Sequence, residues 1–184
     1  CDTFHIPYSD EVLLYTAHKS FYWKAYERGE ITSAALAIAR FHDFLAAVGK
    51  DGDPALIASF IRQALGEDCT PIHDALRVCR ILYERGYKLS IITNGRSTTQ
   101  HSRLSHSELT PMISDLFISE DSDAKAKKEF FDVVLSKLQI PTSKALVIGD
   151  SLTSDIIGGI QYGIDTCWFN PNGSDNTMSQ APTY

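Results

Sequence analysis

Two aspartates in the segment VIGDSLTSD (147–155) are spaced so that they could hold a metal ion. An apolar run ends at Asp150, and Asp155 follows about one helical turn further on, so both carboxylates could point into one site. Two hard oxygen ligands of this kind suit Mg²⁺, which keeps near-octahedral oxygen coordination and several bound waters. The spacing therefore predicts a magnesium site.

A second segment, IITNG (91–95), ends in groups that could hold a phosphate. The Thr93 hydroxyl, followed by the backbone N–H groups of Asn94 and Gly95, is typical of a phosphate cradle. Lys125 lies between the two segments in the chain, and its cation could neutralise charge on a transferring phosphoryl group. Each group could also be structural, as a helix cap or a surface charge, but their order favours phosphate chemistry.

The elements that must position these residues alternate from about residue 70 onward. Apolar runs typical of buried strands alternate with helical patterns, which predicts βαβ units and a parallel sheet with helices on both faces. Ligands bind such sheets at the carboxyl ends of the strands, where Thr93 and Asp150 fall. The predicted strands are 88–93, 115–119, 145–150 and 165–170, and the predicted helices are 73–84, 97–107, 128–138 and 154–163.

The part of the chain before residue 70 shows only helical patterns. Thr32 or Ser33 is predicted to open one helix, and Asp53 with Pro54 to open the next. The apolar stripes predicted to face the core are Phe41, Phe44, Leu45 and Val48, then Ile57, Phe60, Ile61 and Leu65. We therefore expect a helical module over residues 1–68 and an α/β core over residues 69–184.

Composition restricts the partners. A net charge of -6 argues against binding a nucleic-acid polymer or an anionic membrane, while it leaves small phosphorylated substrates open. No apolar segment approaches the roughly 20 residues of a membrane helix, and no signal peptide is recognisable, so we expect a cytoplasmic protein. Cys79 and Cys167 lie in apolar patterns and are expected to be buried, reduced thiols.

An alternative follows from the letters GDSL, which also occur in a family of serine esterases. There Ser151 would be the nucleophile and would need a histidine as its base. In that family the block lies near the N-terminus and the histidine comes late. Here the block lies near the C-terminus and the last histidine is His106, which argues against the esterase.

The order of motifs resembles the haloacid dehalogenase superfamily of phosphohydrolases. IITNG, Lys125 before KEFF, and VIGDSLTSD are similar to its motifs II, III and IV, and the helical module is similar to its α-helical C1-type cap. The resemblance implies an α/β fold with a Rossmann-like three-layer parallel sheet. Four further segments resemble the branch of pyrimidine 5′-nucleotidases that also accept noncanonical nucleotides: YERGEIT (26–32), ARF (39–41), ISED (118–121) and TCWFNP (166–171).

This resemblance implies a role for each candidate residue. Thr93, Asn94 and Gly95 would bind the phosphate, and Lys125 would stabilise the nucleophile and the phosphoryl charge. Asp150 and Asp155 would hold Mg²⁺. Ala126 stands where the family usually has proline, so Lys127 or Lys128 is an alternative to Lys125. The implied activity is a Mg²⁺-dependent phosphomonoesterase acting on nucleoside 5′-monophosphates; the alternative is a degenerate member that binds phosphorylated ligands or a partner without turnover.

Two further expectations concern the nucleophile and the substrate. The superfamily's nucleophile is the first aspartate of a DxDx(T/V) motif, which forms an aspartyl-phosphate, and this sequence contains no such motif. We therefore expect the printed chain to be part of a longer protein, to be inactive alone, and to leave two strands with unpaired edges. Trp23 and Arg40, with Tyr26 and Phe41, combine aromatic faces with a cation and are expected to bind the base; the alternative is that Trp23 and Phe41 are core residues packed between the helices.

Overall fold

The computed structural model describes residues 21–26, 28–121 and 127–184, without the side chains of residues 127–129. Every predicted strand is found, and each differs from its predicted bounds by one or two residues. The helices are α1 (21–26), α2 (Ser33–Ala47), α3 (Pro54–Glu67), α4 (Ala75–Glu84), α5 (Ser97–Ser105), α6 (Lys127–Leu138) and α7 (Ile157–Gln161). The strands are β1 (Leu89–Thr93), β2 (Ile113–Ile118), β3 (Leu146–Gly149) and β4 (Asp165–Trp168).

Contacts divide the chain into two compact units. The first comprises Cys1–Leu89 and Arg96–Ile113, and the second comprises Ser90–Gly95 and Ser114–Tyr184. The boundary predicted after residue 68 falls inside the first unit. Residues 69–89 and the whole of α5 therefore belong to the same unit as the helical segment, and α5 contacts α3.

The helices α2 and α3 begin where the sequence predicts. The Thr32 hydroxyl accepts a hydrogen bond from the Ala35 N–H (3.2 Å), and the Asp53 carboxylate accepts one from the Ala55 N–H (2.8 Å). Both contacts satisfy backbone donors that a first helical turn leaves unpaired. Buried residues of α2 and α3 form one apolar cluster: Ala37, Phe41, Leu45, Ile57 and Ala58.

The predicted stripe on α3 is wrong at two of its four positions. Ile57 is buried and Ile61 packs against the cluster, but Phe60 is 46% exposed and Leu65 is 43% exposed. Towards its end, α3 contacts α5. There the Ser102 hydroxyl donates to the Gly66 carbonyl (2.9 Å) and the Arg103 guanidinium donates to the Asp68 carbonyl (3.2 Å).

The strands of the second unit form two sheets of two strands, β1 with β2 and β3 with β4. The β3–β4 pair is parallel, with Leu146 opposite Asp165 and Gly149 opposite Trp168. Within the described residues, β1 and β3 thus have one strand neighbour each. On the other side of β4, the backbone of Tyr184 exchanges hydrogen bonds with Thr166 and Trp168, so the end of the polar C-terminal segment pairs with the sheet instead of forming only a loop.

Several apolar side chains on these elements stay exposed. On β3, Leu146 is 50% exposed and Ile148 is 57% exposed. The helix α4 has a strongly amphipathic sequence but no buried residue, and Val78 is 44% exposed. Cys79 and Cys167 are half-buried and not fully buried as predicted. Partial burial raises the pKa of the Cys79 thiol.

The helix α7 lies close to its neighbours because it carries two glycines. A Cβ atom at Gly158 would lie 2.6 Å from the Phe131 ring, and one at Gly159 would lie 2.5 Å from the Thr166 side chain. Thr166 is fully buried as a result. None of the helices in the described ranges is long and apolar enough to cross a membrane.

Candidate active site

The segment after β3 is a wide turn and not the α-helix that the sequence predicts from residue 154. Leu152–Ile156 is a π-helix, and α7 begins only at Ile157. The Ser151 carbonyl accepts hydrogen bonds from both the Asp155 N–H (3.0 Å) and the Ile156 N–H (3.1 Å). The second of these bonds spans five residues and opens the turn. Such π-turns are rare and often lie at functional sites.

The Asp155 carboxylate faces back into this turn. It accepts hydrogen bonds from the Ser151 N–H (3.1 Å) and from the Ser154 hydroxyl (3.1 Å). It also packs onto Gly149, where a Cβ atom would lie 2.4 Å from the carboxylate oxygen Oδ2. A side chain at position 149 would therefore occupy the place that Asp155 fills, which explains the glycine at the end of β3.

Ser151 acts as the N-cap of the turn. Its hydroxyl oxygen accepts a hydrogen bond from the Ser154 N–H (3.2 Å) and lies 3.4 Å from the Thr153 hydroxyl. A capping role accounts for a serine at this position. It requires no histidine, and the last histidine of the chain, His106, belongs to the other unit.

Asp150 lies between the end of β3 and this turn, and its side chain is exposed. Its backbone carbonyl accepts a hydrogen bond from the Trp168 indole (3.1 Å), while its carboxylate has no hydrogen-bond partner among the residues of known placement. The carboxylate oxygens are thus available for a cation. Over the same residues, no group of three or more His, Cys, Asp or Glu side chains is placed to share a metal ion.

The loop after β1, which contains the residues predicted to bind phosphate, is held by an internal hydrogen bond. The Thr93 hydroxyl accepts a hydrogen bond from the Gly95 N–H (3.0 Å), so the loop turns tightly before α5 begins at Ser97. Thr93, Asn94 and Gly95 are half-buried. They belong to the same unit as Asp150 and Asp155.

The predicted lysine cannot be placed. Lys125 lies outside the described residues, and the side chains of the alternatives Lys127 and Lys128 are not described either. The backbone of both alternatives belongs to the first turn of α6.

Trp23 and Arg40 belong to the first unit. The Trp23 ring makes an edge contact with Tyr26, with 5.8 Å between ring centroids. Arg40 is only 9% exposed, and its guanidinium carbon lies 4.6 Å from the centroid of the Phe41 ring. Its Nε atom is buried and has no hydrogen-bond partner among the described residues.

The acid nearest to Arg40 along α2 has other partners. Asp43, one helical turn further, accepts a hydrogen bond from the Tyr22 hydroxyl and contacts His42 Nδ1 at 3.1 Å. Burial, together with Asp43, raises the pKa of Tyr22 to about 12. Arg40 therefore remains a buried cation that no described carboxylate neutralises.

Trp168 is the site residue that sequence reasoning missed. It was part of a strand pattern and of a segment that resembles relatives, but nothing in its spacing indicated a contact with Asp150. The signal that could have found it is the parallel pairing itself. A tryptophan at the carboxyl end of the strand next to β3 is within reach of the loop after β3.

Comparisons with known proteins identify the family. The model of the haloacid dehalogenase-like hydrolases matches residues 9–163. The HAD-hydrolase YfnB of Bacillus subtilis is 39% identical over 164 residues, covering 88% of this chain and 69% of YfnB. The pyrimidine 5′-nucleotidase YjjG of Escherichia coli is 35% identical, and the match covers 88% of this chain and 72% of YjjG. The pyrimidine 5′-nucleotidase PynA of Streptococcus pneumoniae is 34% identical, and the match covers 91% of this chain and 75% of PynA.

A crystal structure of YfnB with bound magnesium gives the same result for the fold. It superposes with a TM-score of 0.90 at 36% identity, and the match covers 100% of this chain and 81% of YfnB. The predicted α/β core of haloacid dehalogenase type is thereby confirmed. The chain belongs to the haloacid dehalogenase-like hydrolases.

Proposed function

We propose that the protein is a Mg²⁺-dependent phosphomonoesterase that hydrolyses nucleoside 5′-monophosphates, with pyrimidine nucleotides as the preferred class. The relatives named pyrimidine 5′-nucleotidases support the substrate class. The observation that carries the proposal is the exposed carboxylate of Asp150 at the end of β3, which has no hydrogen-bond partner among the described residues. The other acid of this turn, Asp155, instead accepts a hydrogen bond from the Ser151 N–H.

The donor set fits magnesium. Mg²⁺ is commonly bound by one or two carboxylates, with water and substrate phosphate completing the coordination shell. Asp150, supported by Asp155, would supply a carboxylate ligand of this kind. The bound cation would neutralise charge on the phosphate oxygens. The Thr93 hydroxyl and the Asn94 backbone N–H would hold the remaining phosphate oxygens, while Gly95, whose N–H donates to Thr93, would shape the loop.

The direct test uses a protein that includes any sequence preceding Cys1. It measures phosphate release from uridine and thymidine monophosphates, from a triose phosphate and from p-nitrophenyl phosphate, with and without a chelator of Mg²⁺. We expect release from the two nucleotides to be fastest and to stop on chelation. Binding of nucleotide without phosphate release, in a protein that includes any sequence preceding Cys1, would identify the non-catalytic alternative instead.

Arg40 supports a base-binding role for the helical module. Burying the Nε–H of Arg40 without a hydrogen bond costs free energy, so folding alone does not favour an arginine at this position. A ligand that brings carbonyl oxygens would offset the cost, because a guanidinium donates up to five hydrogen bonds in a fixed plane. Uracil and thymine each carry two carbonyl oxygens and fit this requirement.

We expect Arg40→Leu to stabilise the protein while weakening nucleotide binding. Removal of the buried Nε–H that has no hydrogen-bond partner among the described residues should raise the free energy of unfolding by roughly 1–3 kcal/mol. Loss of hydrogen bonds from a charged donor should raise KM for uridine monophosphate by about tenfold or more. Thermal unfolding and steady-state kinetics measure the two effects separately.

Arg62→Leu is the matched control, because Arg62 is a half-buried arginine on α3 of the same module. It should leave the ratio of nucleotide to p-nitrophenyl phosphate turnover unchanged. Trp23→Ala, in contrast, should lower that ratio. A loss of stability in Arg40→Leu, with equal losses on both substrates, would show that Arg40 only packs against Phe41.

The lysine can be assigned by comparing three single variants. We expect Lys125→Ala to lower kcat by about 10²–10³, which is typical when one charge that stabilises a transition state is removed. Lys127→Ala and Lys128→Ala should retain most of the activity. If one of these two loses activity and Lys125→Ala does not, the functional lysine lies at the start of α6.

A further inference from the structure

The peptide group that joins Asp150 to Ser151 is held at both of its ends by side chains. Its carbonyl oxygen, on Asp150, accepts a hydrogen bond from the Trp168 indole Nε1–H (3.1 Å). Its N–H, on Ser151, donates to the Asp155 carboxylate (3.1 Å). Because a peptide group is planar, two bonds of opposite direction fix the orientation of the whole plane.

This orientation helps to set the direction in which the Asp150 side chain leaves the backbone. The carboxylate is exposed and has no hydrogen-bond partner among the described residues, so no side-chain contact aims it. Its direction depends instead on the backbone conformation of Asp150. The held peptide group restricts that conformation on the C-terminal side of the residue. Partners that orient a ligand are known to matter nearly as much as the ligand itself.

Trp168 is itself well held. Its N–H donates to the Tyr184 carbonyl (3.0 Å), and its residue pairs with Gly149 in the parallel register. The next residue, Phe169, donates its N–H to the Gly149 carbonyl (2.8 Å). Two successive carbonyls therefore accept hydrogen bonds from residues at the end of β4. The Gly149 carbonyl accepts from the Phe169 backbone N–H, and the Asp150 carbonyl accepts from the Trp168 indole N–H.

We propose that Trp168 is a positioning residue for the metal-binding aspartate. Its indole N–H, together with the Asp155 carboxylate, orients the Asp150–Ser151 peptide so that the Asp150 carboxylate is directed at Mg²⁺. This inference rests on the proposed function, since it requires Asp150 to bind the cation.

The first test compares Mg²⁺ affinity by calorimetric titration. Trp168→Phe keeps an aromatic ring and removes the N–H donor, and we expect it to bind Mg²⁺ roughly tenfold more weakly, at the lower end of the effects of losing an orienting hydrogen bond at a metal site. Tyr87→Phe removes the polar hydrogen of an exposed aromatic residue in the other unit and should bind Mg²⁺ as tightly as the unaltered protein. Asp150→Asn should not bind it measurably.

The second test observes the indole directly. The chain contains two tryptophans, so the Trp23→Phe variant shows one indole N–H signal in a proton–nitrogen correlation spectrum, and that signal is Trp168. We expect this signal to move as Mg²⁺ is added and to stay unmoved when Asp150→Asn is also present. This test remains decisive if Trp168→Phe does not fold.

The outcomes separate the inference from the proposed function. Suppose that the unaltered protein binds Mg²⁺, but that Trp168→Phe binds it equally well or that the indole signal does not move when Mg²⁺ is added. The positioning role of Trp168 is then wrong, while the metal site at Asp150 remains supported. If neither the unaltered protein nor any variant binds Mg²⁺, the metal part of the proposed function fails, and the positioning role fails with it.

Discussion

Asp150→Asn should abolish Mg²⁺-dependent phosphate release and lower turnover of uridine monophosphate by roughly 10³-fold. This is the upper end of the loss that follows when an enzyme loses one preorganised electrostatic contact with the transition state. The amide has nearly the shape of the carboxylate but no charge, so the turn after β3 should form as before. The backbone carbonyl that Trp168 binds is unchanged. The measurement is phosphate release in the active protein across a Mg²⁺ titration.

Two variants serve as controls for this result. Ser151→Ala removes the capping hydroxyl but keeps the N–H that Asp155 binds, so it should cost about 1 kcal/mol of stability and leave substantial turnover. Asp165→Asn changes an exposed acid at the opposite end of the β3–β4 pair and should leave activity unchanged. Esterase activity that disappears in Ser151→Ala would contradict the phosphatase and favour the serine esterase.

The sequence predicted the elements well because their signals are local. Apolar runs that alternate with helical stripes predict the four strands found among the described residues, and residue type alone predicts the N-caps Thr32 and Asp53. The residues at the carboxyl ends of β1 and β3 followed from the rule that ligands bind there. These inferences need only neighbours in the chain.

The details that position the candidate site could not be predicted because they depend on contacts between distant residues. The helical pattern over SDIIGGIQYG does not indicate that its first part lies in a π-helix, in which Asp155 packs onto Gly149. The contact of Trp168 with Asp150 spans 18 residues and requires the strand register. The burial of Arg40 without a partner contradicts its residue type, and no periodicity reveals it.

Gly149→Ala should inactivate the protein by displacing Asp155. The added Cβ would lie 2.4 Å from the Asp155 Cβ and Oδ2 atoms, a distance that real side chains do not tolerate. Asp155 has a short side chain and cannot move aside without releasing the Ser151 N–H, and β3 cannot move without straining its pairing with β4. Overpacking of this kind costs about 1–3 kcal/mol, and we expect turnover to fall by roughly 10²-fold because a misplacement of about 1 Å near a reacting group has that effect.

Gly158→Ala separates the local effect from the loss of stability. The Cβ atom added there would lie 2.6 Å from the Phe131 ring, so the steric conflict is nearly as severe, but it lies at the contact of α7 with α6. Both variants should therefore unfold at a lower temperature. Well below both unfolding temperatures, Gly158→Ala should retain its Mg²⁺ affinity and most of its turnover, whereas Gly149→Ala should lose both. Equal losses in the two variants would mean that Gly149 serves general packing, and that the turn tolerates a displaced Asp155 without misdirecting Asp150.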